Sequence, residues 1–367
     1  MSKLKRNVLR SRWLQLAEQM KAEDLGALLL TDPADVRWLT GFSGSNGAAL
    51  AITSGAPLLA TDGRYAEQAA AECPDAEIII TRELIEQLLL RLRENSATAL
   101  GVDPLSLTLH QFRAISAHPA MFGVRVQEVE SPLRDLRMVK ELYELNRMRK
   151  AAKISTDALR KLQGIIEVGM SELHVARTME AIMGDLGSED RSFPTIVAAG
   201  DNGGRPHHQP TTRAIEAGDL LTIDFGAMSE GYRADCTRTF IVAAEPEDWQ
   251  ADAYFAVKRA AASARDAAKA GAETSAVDAA ARKVIGKADL GEFFVHGLGH
   301  GIGLNLHEAP LLGASTAGTL LESVPFTVEP GVYIPGKGGV RIEDTCVIQP
   351  DGLEILTDFP RKLLCVG

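Results

Sequence analysis

The chain has 367 residues, of which 46% are hydrophobic and 24% are charged, and its formal net charge is −10. This composition is typical of a globular protein, and the acidic balance argues against a nucleic-acid or anionic-membrane partner. The length predicts two domains. The four cysteines form no CxxC pair, which argues against a disulfide framework or a thiolate zinc site. Because the pattern shows neither a secretory leader nor a membrane span, a cytoplasmic enzyme is expected.

The first part of the chain alternates between helical and strand patterns. Residues 11–25 and 84–95 have helical spacing, whereas short apolar runs such as LGALLLTD and AEIIITRE are typical of strands. This alternation predicts an α/β domain over residues 1–131.

The pattern changes after SPLRDLRMVK, and residues 132–367 are predicted to form a second domain. Helices are expected at 139–167 and 171–186, and an Ala-rich stretch around 249–286 is typical of an amphipathic helix. Strand pairs are expected at 217–242 and 325–349.

The first strand pair carries two aspartates. LTIDFGA and YRADCTRTF are joined by a polar turn at Ser229-Glu230-Gly231, and a turn centred between 229 and 230 would set Asp224 directly opposite Asp235. Directly opposed carboxylates destabilise a hairpin, and a bound cation would resolve the conflict. The alternative is an ordinary solvated hairpin with two acidic residues.

The second strand pair repeats this arrangement. A hairpin that turns at PGKGG, centred on Gly336, sets Glu329 opposite Glu343. Arg341 shares the face of Glu343, whereas Asp344 points the other way. Four carboxylates and one histidine would suit two divalent ions, and such an oxygen-rich set favours Mn²⁺ or Co²⁺ over a structural zinc.

Between the strand pairs lies HGLGHGIGLNLHE, residues 296–308, with three histidines and four glycines. It cannot form an HExxH helix, because no glutamate follows the first histidine and glycine disfavours a helix interior. Glycines instead permit close backbone approach to a site. Upstream, GDNGGRPHHQP adds His207 and His208 in a turn-like segment.

Taken together, these segments resemble the creatinase/aminopeptidase or pita-bread metallopeptidases, and among them the Xaa-Pro peptidases, prolidase and aminopeptidase P. In the C-terminal part the resemblance rests on five motifs in order, and in the N-terminal part on DPADVRWLTGFSGSNG and TDGRY. The five motifs are IDFGA, YRADCTRT, HGLGHGIGLNLHE, TVEPGVYIP and GVRIED. The resemblance implies an α/β (α+β) chain with a creatinase-like N-terminal domain and a C-terminal pita-bread domain.

The resemblance also implies a ligand set and roles for other residues. Asp235 and Glu343 would bridge two divalent ions, and Glu329 would transfer protons. Mn²⁺ is the expected metal, with Co²⁺ or Zn²⁺ as alternatives, and the implied metal ligands are Asp224, Asp235, His300, Glu329 and Glu343.

Further positions match residues that act beside the metals in the family. His207, His296 and His307 would contact the substrate, Arg341 would orient the substrate or a carboxylate, and Thr237 would support a metal-bound aspartate. One segment departs from the family pattern, since GDNGGRPHH lacks the expected SALPHH-like form.

The implied activity is metal-assisted hydrolysis of the peptide bond before proline. The expected substrates are short peptides with proline at the second position, and the expected oligomeric state is a homodimer. Dipeptidase and aminopeptidase activity remain open alternatives. Methionine aminopeptidase-like activity is disfavoured by His296 and the extra N-terminal domain. Metal-free creatinase-type hydrolysis and a non-catalytic pita-bread binding module are disfavoured by the complete ligand set.

Overall fold

The computed structural model describes residues 3–95, 97–130 and 133–367. The chain divides into two compact units, Met1–Arg137 and Met138–Gly367. The predicted boundary after residue 131 falls on Ser131 and Pro132, which lie outside the described residues. No helix in the described ranges is long and apolar enough to cross a lipid bilayer.

The first unit is built on a six-stranded mixed sheet with the order β4-β3-β2-β1-β5-β6. Strand β2 runs antiparallel to both of its neighbours, and the other pairs are parallel. The strands are β1 (Ala27–Leu30), β2 (Gly47–Ile52), β3 (Leu58–Thr61), β4 (Glu77–Ile80), β5 (Ala99–Val102) and β6 (Arg125–Glu128).

In the described part of this unit six α-helices accompany the sheet, and the last of them runs to Met138. In α2 the Asp32 side chain accepts hydrogen bonds from two backbone N–H groups, Pro33 occupies the first turn, and Gly41 ends the helix with φ 84°. The helices are α1 (Lys3–Ala22), α2 (Pro33–Thr40), α3 (Ala66–Glu72), α4 (Leu84–Glu94), α5 (Leu109–Ala117) and α6 (Leu133–Met138).

The second unit contains a four-stranded sheet, β19-β11-β8-β7, and a five-stranded sheet, β13-β12-β14-β17-β18, together with two short hairpins, β9-β10 and β15-β16. The strands up to β13 are β7 (Ile196–Ala199), β8 (Leu220–Phe225), β9 (Met228–Ser229), β10 (Tyr232–Arg233), β11 (Cys236–Val242), β12 (Gly299–Gly301) and β13 (Glu308–Leu312). The remaining strands are β14 (Pro325–Val328), β15 (Gly331–Ile334), β16 (Gly338–Arg341), β17 (Asp344–Gln349), β18 (Gly352–Ile355) and β19 (Cys365–Val366).

Four α-helices cover these sheets in two pairs: α7 (Leu142–Gln163), α8 (Glu172–Asp185), α9 (Asp248–Ala267) and α10 (Thr274–Gly286). Apolar side chains of α7 and α8 pack on β7, β8 and β11, whereas those of α9 and α10 pack on β14, β15, β16 and β17. The Ala-rich stretch is therefore two helices rather than one. The chain turns between them at Gly271, whose φ of 85° is costly for other residues.

Candidate functional site

A cavity of about 530 Å³ lies in the second unit, a size that suits a small ligand or a short peptide. Its wall contains every residue that the sequence predicts as a metal ligand or as a group beside the substrate, although these residues span more than 130 positions of the chain. They are His207, Asp224, Asp235, His296, His300, His307, Glu329, Arg341 and Glu343. The fold thus brings the predicted set together, and the role of each residue stays a prediction.

The first hairpin differs from its predicted register. Asp224 lies opposite Thr237, not opposite Asp235, so the prediction of a direct pair is wrong. The turn is formed by Glu230 and Gly231, with φ of 46° and 79°, because a two-residue hairpin turn of this hand requires positive φ. Moving the turn by one residue slips the pairing by two, which keeps both aspartates on the same face.

The second hairpin has the predicted register. Val328 pairs with Asp344 on one side and Gly331 with Arg341 on the other, so that both ladders set Glu329 opposite Glu343. These two glutamates stand between β14-β17 and β15-β16, where neither belongs to a regular strand. The predicted centre at Gly336 is confirmed.

His300 lies on the short strand β12, between the two hairpins. Its Nε2 is 3.6 Å from Asp235 Oδ2 and 3.4 Å from Glu329 Oε1. The Nδ1 atom lies 3.0 Å from the Gly301 carbonyl oxygen, a contact that assigns the ring proton to Nδ1 and leaves Nε2 free to bind a cation. Burial, together with the nearby His307 ring, lowers the pKa of His300 to about 4, so the imidazole is neutral at neutral pH.

The glycines beside His300 are required by the neighbouring strands. A Cβ atom on Gly299 would lie 2.1 Å from the Thr327 carbonyl oxygen, and one on Gly301 would lie 2.1 Å from that of Ala309. Close backbone approach was predicted here, and the structure shows that it takes place within the sheet that holds His300.

The carboxylates of the site are crowded and buried. Ligand atoms of Asp235, His300 and Glu343 all lie within 4.8 Å of one another. Burial, reinforced by the surrounding carboxylates, raises the pKa of Asp235 and of Glu343 well above the usual range. Burial and the charge of Asp224 raise the pKa of Glu329 to about 7, against the opposing effect of Arg341.

Two oxygens of the cluster lack hydrogen-bond partners among the described residues. Oδ1 of Asp224 and Oδ1 of Asp235 are both buried and unpaired. A buried acceptor without a donor is costly, and a cation would satisfy both oxygens and favour ionised carboxylates. The donor set of carboxylates and one neutral imidazole therefore fits divalent metal binding.

Arg341 connects the carboxylates to the histidines. Its Nη2 donates to Asp224 Oδ2 at 2.7 Å, and its Nη1 donates to the Tyr333 hydroxyl at 2.8 Å. The Tyr333 hydroxyl is 2.9 Å from His296 Nε2, and the other His296 ring nitrogen contacts the Gly297 carbonyl. Since the Gly297 carbonyl oxygen can only accept, Nδ1 of His296 carries the ring proton, and the Tyr333 hydroxyl donates to Nε2.

Tyr333 is the clearest site residue that the sequence reasoning missed. Alternation along the chain could have found it, because residues 329, 331 and 333 share a face of the hairpin.

Thr237 contacts a different carboxylate from the predicted aspartate. Its Oγ1 donates to Glu343 Oε2 at 2.7 Å and accepts from Arg341 Nε at 3.1 Å. The register explains the change, because Thr237 takes the place opposite Asp224 and faces the second hairpin.

The segment that carries His207 is held by hydrogen bonds to one buried carboxylate, that of Glu172. His207 is exposed, whereas the adjacent His208 is buried with Nε2 2.8 Å from Glu172 Oε2. Glu172 also accepts hydrogen bonds from Asn202 and from the backbone N–H groups of Ala199 and Thr211. One buried carboxylate thus organises the whole loop. His307, on the opposite side, stacks edge-on against His300 with ring centroids 4.2 Å apart.

Two family models match the chain. Metallopeptidase family M24 matches residues 146–350, which is more than half of the chain, and the creatinase/prolidase N-terminal domain matches residues 12–139. The sequence is 35% identical to the uncharacterized peptidase YqhT of Bacillus subtilis over 341 residues, covering 93% of this chain and 96% of the relative.

Solved structures agree over nearly the whole chain. The Xaa-Pro dipeptidase from Bacillus anthracis superposes with a TM-score of 0.91 at 32% identity, covering 97% of this chain and 99% of that one. An X-Pro aminopeptidase from Thermotoga maritima superposes with a TM-score of 0.87 at 34% identity, covering 95% and 99%.

The fold and its carboxylate-rich cavity thus define an enzyme of the pita-bread class. The chain belongs to metallopeptidase family M24, with a creatinase/prolidase N-terminal domain ahead of the metallopeptidase domain.

Proposed function

We propose that this metallopeptidase hydrolyses the peptide bond between an N-terminal residue and a following proline. The observation that carries the proposal is the convergence of three buried carboxylates, the partly buried Glu329 and one neutral histidine on a peptide-sized cavity, in a chain whose structural relatives are Xaa-Pro peptidases. The open choice between a dipeptide and a longer peptide is a separate question.

The metal centre in this proposal holds two divalent ions, with Mn²⁺ as the expected metal and Co²⁺ or Zn²⁺ as alternatives. Asp224, Asp235, His300, Glu329 and Glu343 would hold the ions, and the two unpaired aspartate oxygens support this assignment. Divalent ions in such a centre act as Lewis acids, which lower the pKa of water and polarise a peptide carbonyl.

The protein residues supply positioning and proton transfer. Glu329 is proposed to move the proton, and its Oε1 is held by the Thr327 hydroxyl at 3.1 Å. His207 and His307 are exposed at the cavity and are proposed to hold the substrate, while His296 is held by Tyr333. Arg341 is proposed to orient Asp224 through their 2.7 Å ion pair.

The test compares three peptides with the Mn²⁺-loaded protein: the dipeptide Ala-Pro, the tripeptide Ala-Pro-Ala and the proline-free Met-Ala-Ser. Cleavage of either proline peptide before the proline supports the proposal. If only Met-Ala-Ser is cut, a methionine aminopeptidase-like activity replaces it.

Metal content gives a second test. Metal analysis after dialysis is expected to find two Mn²⁺ per chain, and one ion per chain at full activity would contradict the two-metal centre. The homodimer and the cytoplasmic location expected from sequence also belong to the proposal, and they are tested by sedimentation and by cell fractionation.

A further inference from the structure

The walls of the cavity contain little positive charge. Among the described residues that line it, Arg341 is the only arginine or lysine. A substrate with a free carboxylate close to the scissile bond would have to find its counter-ion among these residues. It is therefore important whether the N–H groups of Arg341 are free or already hydrogen-bonded.

The Arg341 guanidinium is already committed to the protein. It is 3% exposed, and four of its five N–H groups donate within the site. Their acceptors are Asp224 Oδ2, the Tyr333 hydroxyl, Thr237 Oγ1 and the Pro206 carbonyl oxygen. One N–H group remains, so a bidentate pair with a substrate carboxylate would displace contacts that hold a carboxylate of the cluster.

Much of the rest of the wall is apolar, and it lies beside the exposed His207 and His307. Phe193, Ile196, Leu311 and Leu312 contribute apolar surface, and Leu311 is 55% exposed. Both ring nitrogens of His296 are occupied, one by the Gly297 carbonyl and one by Tyr333. The apolar part of this wall accepts neutral groups at little cost, whereas a charged group that enters it loses hydration and gains no opposite charge there.

A dipeptide and a longer peptide differ at one point. In Xaa-Pro the proline carries a free carboxylate, whereas in Xaa-Pro-Xaa the same carbon is a neutral amide. A carboxylate entering this cavity would meet no free guanidinium or ammonium group among the described lining residues, and the four carboxylates of the cluster would already balance the charge of two divalent ions.

We infer that this site is built for peptides that continue beyond the proline, so that the enzyme acts as an aminopeptidase on Xaa-Pro-Xaa substrates and discriminates against Xaa-Pro dipeptides. The inference rests on the proposed function, because it specifies which proline peptides the same site accepts.

The experiment separates charge from length with three substrates: Ala-Pro, its amide Ala-Pro-NH2, and Ala-Pro-Ala. With the Mn²⁺-loaded protein, the amide and the tripeptide are each expected to exceed Ala-Pro in kcat/KM by roughly 10- to 100-fold, the effect of one hydrogen bond to a charged group. Equal or faster cleavage of Ala-Pro overturns the inference and leaves the proposed function intact. If none of the three is cleaved while Met-Ala-Ser is, the proposed function itself fails.

A substitution in the cavity wall tests whether the lack of positive charge causes this preference. Leu311→Lys places an ammonium group at the exposed apolar position and is expected to raise kcat/KM on Ala-Pro by roughly 10-fold relative to Ala-Pro-NH2. Leu311→Gln is the matched control, because it changes polarity without charge and is expected to leave that ratio at the wild-type value. If Leu311→Lys changes both substrates by the same factor, charge at this wall does not set the preference.

Discussion

Glu343 and Asp344 are adjacent residues whose side chains point to opposite faces of one extended segment. Both carboxyl groups are buried, but the pKa of Glu343 is raised and the pKa of Asp344 is lowered. Both side chains are at most 1% exposed. Glu343 lies in the cavity among other carboxylates, and its pKa is raised, mainly by burial and by the charge of Glu329. Asp344 lies in the interior on the other face, and its pKa is lowered.

The difference lies in the cations that surround each group. Burial raises the pKa of Asp344, but Arg238, Arg361 and Arg265 together outweigh it, with the closest nitrogens at 2.7, 2.6 and 3.3 Å. The cavity face instead offers one arginine, Arg341, to four carboxylates. Arginines of the chain itself thus compensate the charge of Asp344 and form a structural ion cluster with it. Around Glu343 the chain supplies too few cations for its carboxylates, so this face favours the binding of cations from solution.

The largest expected effect is on the Glu343 face. Glu343→Gln removes one carboxylate from the proposed ligand set, so metal retention should fall and kcat/KM on Ala-Pro-Ala should drop on the order of 10³-fold or more. Metal analysis after dialysis and the peptide assay measure both quantities. Stability without metal should not decrease, because the raised pKa of Glu343 favours its neutral form there and glutamine is a neutral side chain of the same size. A variant that keeps its metal and full activity would falsify the ligand role.

Asp344→Asn is the matched change on the other face, and it should act on stability instead. It leaves Arg238, which is 2% exposed, without its anion, and losing one partner of a buried ion pair costs roughly 3–5 kcal/mol. Urea unfolding in EDTA measures this loss, while metal affinity of the folded protein should stay near wild type. Asp358→Asn is the control, because that exposed carboxylate should contribute less than about 0.5 kcal/mol. Equal costs for both variants would contradict the comparison.

The two faces should also differ in their pH dependence when the protein is free of metal. The pKa of Glu329 rises from 4.5 to about 7, so the folded state binds more protons than the unfolded state in this interval. Its stabilising contribution is present at low pH and is lost as the pH rises through about 7. Asp344, whose pKa is lowered from 3.8, is ionised in both states here and adds no slope.

Thermal unfolding in EDTA from about pH 5 to about pH 8 checks this difference. Glu329→Gln should make the decline of Tm with pH shallower, leaving the part that comes from the raised pKa of Asp235 and Glu343, and Asp344→Asn should leave the slope as in wild type. With saturating Mn²⁺ the trend should weaken or reverse, because metal ligands bind in their deprotonated form. A slope of Tm against pH that is the same in Glu329→Gln as in wild type would show that the cavity does not raise the pKa of Glu329 in the folded protein.

The smallest effect concerns the geometry of the arginine cluster. Arg361 binds both Asp344 oxygens, through Nε at 2.6 Å and Nη2 at 3.1 Å, and lysine keeps the charge but cannot form this fork. Arg361→Lys should therefore cost about 1 kcal/mol in urea unfolding. Arg160→Lys, at a side chain that is 51% exposed, serves as the control and should cost less than about 0.5 kcal/mol. A larger loss for Arg160→Lys would contradict this ranking.

The success of the sequence reasoning can be judged at the two hairpins. The register of the second hairpin was correct because PGKGG leaves a single reasonable centre, Gly336. The register of the first was wrong because Ser229-Glu230-Gly231 offers two centres, and the positive φ of a non-glycine residue, Glu230, selects the second. The shared face was still right, since a slip of two residues preserves it.

Other features could not be derived from local pattern. The Ala-rich stretch satisfies helical spacing across the turn at Gly271, so periodicity alone could not divide it into two helices. The apolar cavity wall combines Phe193 with Leu311, which lie more than 100 positions apart and share no motif. Local pattern gives no information on such contacts, because they arise from the packing of separate elements.

The sequence by itself determined which residue types recur at alternate positions, and therefore which carboxylates share a face with Glu343 and which point away with Asp344. Only the tertiary structure decided what each face meets. Arg238, Arg265 and Arg361 reach Asp344 from β11, from α9 and from the segment before β19, whereas the cavity face receives His300 and more carboxylates. The balance of buried charge depends on the convergence of distant elements, and it is this balance that separates the structural ion cluster from the candidate metal centre.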